Sequence, residues 1–363
     1  MRRGTGAALA ALAITTAAPA AALSSAPTLP TTSTPVMRIA APDATSLFTD
    51  SAGTVLASGT HSVRAYDASG RLLGQSASLN APRVMVDYLG SAWALTFDSR
   101  VVRIDPKTAA VQKSIPVRSP HRLTMLAGAG GYLWTTTSDT WDSPLLRVDP
   151  RTGAVTRAAY APGASVPTRF TDLSSNPSVP NALLVGGMSN HTGYWLYDAS
   201  SGVLVPTSTS DPWWRVGSWQ DLTPAAPLAA DGLTAYVTRS HLVRGVAYSE
   251  DICRQDLITD QQPTICYLMD GVGNASYQMT TFGPCDYLLA TTDRSSGDHR
   301  PDVYVWNGAA PGAAMATFTL ATYAGSPVVA PDQRSVWLLT APMVSPGHEG
   351  PGEIQIFGLP TGP

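Results

Sequence analysis

One short segment recurs along this chain: an apolar strand ending in Asp, a tight turn with Gly, then a further strand. It reads Val63-Arg-Ala-Tyr-Asp67-Ala-Ser-Gly70, Val102-Arg-Ile-Asp105-Pro-Lys-Thr108, Leu146-Arg-Val-Asp149-Pro-Arg-Thr-Gly153 and Leu196-Tyr-Asp198-Ala-Ser-Ser-Gly202. Weaker copies are Val303-Tyr-Val-Trp-Asn307-Gly308 and Ile354-Gln-Ile-Phe-Gly358. Asp and Asn suit such turns because their side chains bond the local backbone, and Gly supplies a positive φ. A strand precedes each copy, beginning at Val55, Trp93, Leu133, Leu183, Thr234, Tyr287 and Val336, at spacings of 38 to 53 residues. A period of that length with four short strands per repeat is the sequence form of a β-propeller, whose blades must pack on one another to bury their faces.

Composition agrees. Only 13% of the 363 residues are charged, with Lys at two positions and Glu at three, while Gly (31) and Pro (30) abound. Chains that build exposed helix faces need more Lys and Glu, so a largely helical fold is excluded. An apolar fraction of 44% supports a large core and excludes global disorder. A formal charge of −3 leaves no basic excess to neutralise phosphates, so no nucleic-acid partner is expected.

The expectation is an all-β, seven-bladed β-propeller of four-stranded blades over residues 36–363, with six or eight blades as alternatives. Val36–Ala40 would supply the outermost strand of the last blade, closing the ring with strands from both termini and removing the sheet edge. The fifth blade reads as least regular. Ahead of the repeats, Arg2-Arg3, the Ala-rich stretch Ala7–Ala18 and Ala20-Ala21-Ala22 follow the order of a secretory signal peptide, residues 1–22. Residues 23–35 read as a linker. The apolar run is too short for a membrane span, so the mature chain is expected to be secreted, and a monomer.

Three Cys fit an oxidising compartment: Cys253 pairs with Cys266 across a hairpin, or Cys266 pairs with Cys285. Their spacing is not that of a zinc site. The leader reads as bacterial, so the sequons Asn190-His-Thr192 and Asn274-Ala-Ser276 are taken as accidental.

With strands labelled a to d from the axis outward, the b–c loops and d–a connections share one end, and the Asp turns lie at the other. His61, His191, His241, His299 and His348 fall in b–c loops, and His121 begins strand a of the third blade. Arg83, Arg122 and Arg169 occupy matching positions in three consecutive blades, at the channel mouth. Trp141, Trp213, Trp214, Asp98, Asp139, Asp142, Asp293, Asp298 and Glu349 belong to the same loops. Imidazoles act as acid, base or metal ligand near neutral pH, and converging guanidinium groups favour a carboxylate or phosphate.

The repeat resembles the secreted bacterial propellers of the YVTN and PQQ-like type, with Asp149-Pro-Arg-Thr-Gly153 a close fit. The Trp with which that family docks the quinone is missing, so PQQ is not expected. The stretch Pro120-His-Arg-Leu-Thr-Met-Leu-Ala-Gly-Ala-Gly-Gly-Tyr-Leu-Trp134 resembles one blade of the streptogramin (virginiamycin B) lyases. That resemblance implies elimination chemistry with a divalent metal ion and maps His121 alone by motif; Glu349, from the same loop set, is a further candidate catalytic residue. Two readings follow. In the first, the chain is an exported binding module holding a small ligand, an anionic one included, a glycan or a protein loop at the mouth. In the second it is a lyase or hydrolase in which His121 and a further His serve as base and acid. Signature motifs of other enzyme classes, such as Gly-x-Ser-x-Gly and His-Glu-x-x-His, are absent from the sequence.

Overall fold

The computed structural model describes residues 34–59, 62–76, 79, 82–137, 140–188, 192–207, 227–243, 247–258, 265–267, 277–282, 287–292, 303–307, 316–318, 323–330, 332–341, 343–345, 348–349 and 352–359. Among them every regular element is a β-strand. After β1 (Met37–Ala40), the first sheet holds β2 (Ala44–Thr49), β3 (Thr54–Gly59), β4 (Val63–Asp67) and β5 (Leu72–Gln75). The second holds β6 (Pro82–Asp87), β7 (Ala92–Thr96), β8 (Arg100–Ile104) and β9 (Val111–Pro116). The third holds β10 (Met125–Ala129), β11 (Tyr132–Thr136), β12 (Leu146–Val148) and β13 (Val155–Arg157). The fourth holds β14 (Arg169–Ser175), β15 (Leu183–Met188), β16 (Thr192–Asp198) and β17 (Val203–Pro206).

The fifth sheet has three strands, β18 (Thr234–Val243), β19 (Ala247–Asp256) and β20 (Ile265–Tyr267). An antiparallel bridge from Leu228 to Ala235 stands where the other sheets have strand a. The sixth sheet is β21 (Tyr277–Phe282), β22 (Tyr287–Thr292), β23 (Val303–Asn307) and β24 (Ala316–Phe318). The seventh begins with β25 (Tyr323–Val329) and β26 (Ser335–Ala341); a small hairpin, β27 (Met343–Ser345) and β28 (His348–Glu349), precedes β29 (Glu353–Gly358). Its strand order is β1-β29-β26-β25, so the outermost strand comes from the N-terminal part of the chain, with Met37 opposite Ile356. All strand pairs are antiparallel, in the up-and-down order that two-ended hairpin connections allow.

Burial falls from the second strand of a sheet to the fourth. All residues of β3 and β7 are buried, whereas β5, β9 and β13 are largely exposed. A strand covered on both faces reads as a continuous apolar run, and an outer strand does not. The apolar clusters lie between sheets. One joins Leu56 and Val63 to Ala94 and Val102, and the next joins Trp93 and Leu95 to Leu126 and Leu133. Another joins Trp134 to Phe170 and Tyr197, whose ring meets the indole edge-on at 4.9 Å. Leu184 with Cys253, Val305 with Val336, and Trp337 with Val55 continue the series. Between the fifth and sixth sheets, the Thr281 hydroxyl donates to Leu228 O at 3.2 Å.

At one end of the sheets the repeated Asp organises the c–d turn. Oδ1 of Asp67, Asp105, Asp149 and Asp198 accepts the N–H two residues on, from Ser69, Lys107, Arg151 and Ser200, at 2.8–3.0 Å. The turn then closes at a residue of positive φ, which is Gly153 or Gly202 in two sheets and Ala109 in the second. These bonds favour the ionised form. Ser69 and the Arg71 contacts hold the Asp67 carboxyl down at about 2, and the hydroxyls of Ser201 and Ser200 hold Asp198 there too.

Candidate functional site

The opposite end carries the b–c loops and d–a connections, where chemistry-bearing side chains were expected to gather. In the second sheet, Phe97 and Asp98 lie in the turn between β7 and β8, and the Thr96 hydroxyl donates to Asp98 Oδ1 at 2.5 Å. Arg122, on the connection from β9 to β10, lays its guanidinium over the Phe97 ring, 3.8 Å from the centroid. The arrangement recurs one sheet further on. Trp141 lies in the loop between β11 and β12, and Arg169, the first residue of β14, stands 5.7 Å from its centroid. The Asp142 N–H donates to Thr168 O at 2.5 Å, fastening that loop to the strand entering the fourth sheet. In both cases an Arg of one sheet meets an aromatic ring of the sheet before it. Both rings are exposed, Phe97 by 44% and Trp141 by 53%.

The three Arg are not placed alike. Arg83 lies within β6, at a register shift between Pro82 and Val84, and Arg169 opens β14, but Arg122 stands three residues ahead of β10. The His121 position also differs from expectation. Strand a of the third sheet starts at Met125, because the chain is still crossing from the outer strand of the second sheet at residues 117–124. The His121 N–H donates to Ser119 Oγ at 3.2 Å. Among the described residues its imidazole has no hydrogen bond or ion pair with a second titratable group. Nor do three His, Cys, Asp or Glu side chains gather there as metal ligands would.

His241 is on a strand rather than in a loop. The β18–β19 hairpin runs ten residues on each side, so the ladder extends past the point where the other sheets turn, and His241 pairs with Ser249. His348 and Glu349 likewise lie in β28, because the b–c connection of the seventh sheet folds back as its own hairpin. His61, His191, His299, Asp139, Trp213, Trp214, Asp293, Asp298 and Cys285 lie outside the described residues. Cys253 and Cys266 are Cα partners across β19 and β20.

Two of the three glycines of the Pro120–Trp134 stretch, Gly128 and Gly130, are explained by packing between sheets. A Cβ on Gly128 would enter the Tyr88 ring, one on Gly130 would enter the Tyr197 ring, and the Gly131 N–H donates to the Tyr88 hydroxyl. Sequence reading missed a cavity of about 640 Å³ at the turn end, between the fourth and fifth sheets, with Val179, Leu196, Val205, Leu233 and Ile258 among its walls. No motif marks it, since its residues come from strand edges and turns of two sheets.

Known structures of similar shape are β-propellers. The β-propeller domain of Myceliophteria thermophila Cps50 (Swd1) matches with a TM-score of 0.60 and 14% identity, over 90% of this chain and 100% of that one. The Dos1 propeller matches with a TM-score of 0.52 and 11% identity, over 86% of this chain and 77% of that one. At such identities the likeness concerns the fold alone, and the fold is a β-propeller. No protein-family model matches the sequence, and no curated protein matches it.

Proposed function

We propose that this chain is an exported, seven-bladed propeller serving as an interaction scaffold, and that it receives its partner at the end bearing Phe97, Arg122, Trp141 and Arg169. The observation carrying the reading is the arginine–aromatic pair repeated across consecutive sheets with both rings exposed. Arg and Trp are among the side chains on which binding energy most often concentrates: Trp covers much area with few rotatable bonds, and Arg presents a planar fork of donors. A guanidinium held over an aromatic ring keeps its N–H donors in its own plane, pointing outward past the ring, the geometry that receives a carboxylate. The partner class is an acidic loop or an acidic glycan. Support for seven blades comes from the packing between successive sheets, from β2 and β26 packing together, and from β1 completing the seventh sheet.

Export is supported by the leader-like first residues and by the cysteines. Cys253 is fully buried and lies opposite Cys266 across β19 and β20, the placement a bridge between them would need. A Cys253–Cys266 bridge would leave Cys285 as the one thiol that alkylates in unfolded, unreduced protein, which mass spectrometry reads directly.

The test is binding of the purified chain to arrays of acidic peptides and acidic oligosaccharides. Arg122→Ala and Trp141→Ala should each weaken capture at least about tenfold at unchanged melting temperature, as hot-spot truncation does. Capture that survives both changes would remove this end as the binding face.

A further inference from the structure

We propose that Asp50 and Asp87 share one proton in the folded chain, forming a carboxyl–carboxylate pair that ties the first sheet to the second at the turn end. Asp50 follows β2 and Asp87 ends β6, the same place in two neighbouring sheets. Both grip one turn. Asp50 Oδ1 accepts the Thr54 N–H at 2.8 Å, and Asp87 Oδ2 accepts the Ser51 N–H at 2.5 Å. The remaining oxygens, Asp50 Oδ2 and Asp87 Oδ1, are buried and have no hydrogen-bond partner, in residues only 4% and 9% exposed.

Two buried carboxylates flanking one turn repel each other, and each oxygen without a donor has lost its water. A single proton answers both problems. Carried on Asp50 Oδ2 and donated to Asp87 Oδ1, it removes one charge and gives both oxygens a partner. The Ser51 N–H bond to Asp87 Oδ2 is untouched. Burial, joined by the Asp87 charge, raises the Asp50 carboxyl above its ordinary value against the lowering effect of the turn N–H groups.

The surrounding charges do not supply an alternative. Among the described residues neither carboxylate has an ion-pair partner. On the elements packed around them, Arg71 pairs with Asp67, Arg64 pairs with Asp43, and Asp105 bonds its own turn and Gln112. Asp332 and Arg334, in the turn before β26, are exposed and joined by their own N–H to carboxylate bond.

The experiment compares melting temperatures of the full chain and its Asp50→Asn variant between about pH 4 and pH 8. Asn retains an oxygen for Thr54 and places a permanent N–H donor where the proton is assigned. A carboxyl raised in the folded state destabilises once pH exceeds its unfolded value, and this cost grows until the folded value is passed. Asp50→Asn should therefore melt higher than the parent at pH 8, by about 2 °C, and the gap should close towards about pH 4. Asp87→Asn should show the same sign. A gap that stays constant with pH, or a variant that melts lower at pH 8, overturns the proposal. So does millimolar calcium that raises the parent but not the variant, since a cation would then occupy the proton's place. Should the variants fail to fold, the ¹³C titration of the parent's Asp50 carboxyl decides. An inflection above the ordinary Asp range supports the shared proton, and one within that range refutes it.

Discussion

The two ends of this propeller are built on opposite plans. At the turn end four Asp residues make the same bond to the same relative N–H, and three of the turns close at the N–H four residues on, the Asp67 turn being one residue shorter. At the other end, chemistry varies from sheet to sheet: a tight turn at Phe97, a longer loop at Trp141, and a second hairpin in the seventh sheet. Repetition serves packing, because each sheet must present the same flank to a neighbour. Variation is what the proposed recognition would use, because loops held by a rigid scaffold can each present different side chains.

Changes to the shared packing should do the greatest damage. Trp134 is fully buried between the third and fourth sheets, with its Nε1 donating to Ala129 O at 3.0 Å. Trp134→Ala should cost about 3–5 kcal/mol in urea unfolding. A loss under about 1 kcal/mol would mean that the two sheets do not depend on this contact. Gly128→Ala comes next, at about 1–3 kcal/mol, because the added methyl enters the Tyr88 ring. Its unfolding midpoint matching the parent's would show that the rings yield freely.

Turn chemistry should matter less, and only through pH. Asp67 is held below its ordinary value, first by the Ser69 hydroxyl, so its stabilising effect is present above about pH 4 and disappears as pH falls towards 2. Asp67→Asn should melt about 1 °C below the parent at pH 7 and level with it near pH 2. A gap persisting at pH 2 would assign the effect to shape rather than charge. Trp141→Ala, at the varied end, should change unfolding by less than about 0.5 kcal/mol. A large destabilisation there would erase the contrast between the two ends, since the Trp would then be holding the sheets together.

How much of this could be read beforehand differs between scaffold and site. The seven strand starts from Val55 to Val336 all fall within one residue of the starts of β3, β7, β11, β15, β18, β22 and β26. The strand at Met37–Ala40 was legible as well, and its pairing with β29 followed from the need to cover the last sheet's edge. Strand and turn signals are local, and a side chain such as Asp105 bonds its own neighbours wherever the turn ends up. The placing of His121, His241 and His348 was not legible, because the length of a hairpin or crossover depends on what it packs against. The Gly-rich approach to Trp134 also has two readings in sequence, and only the Tyr88 and Tyr197 rings from adjacent sheets decide between them.

The amino-acid sequence alone determined that this chain alternates strands and tight turns at one period, since backbone sterics and short-range hydrogen bonds act within a few residues. Tertiary structure decided what meets across the sheets: Arg122 with Phe97, Arg169 with Trp141, and Asp87 with the turn that Asp50 begins. Those partners lie 25 to 37 residues apart in the chain. Nothing local can specify such pairs; the packing of one sheet on the next brings them together.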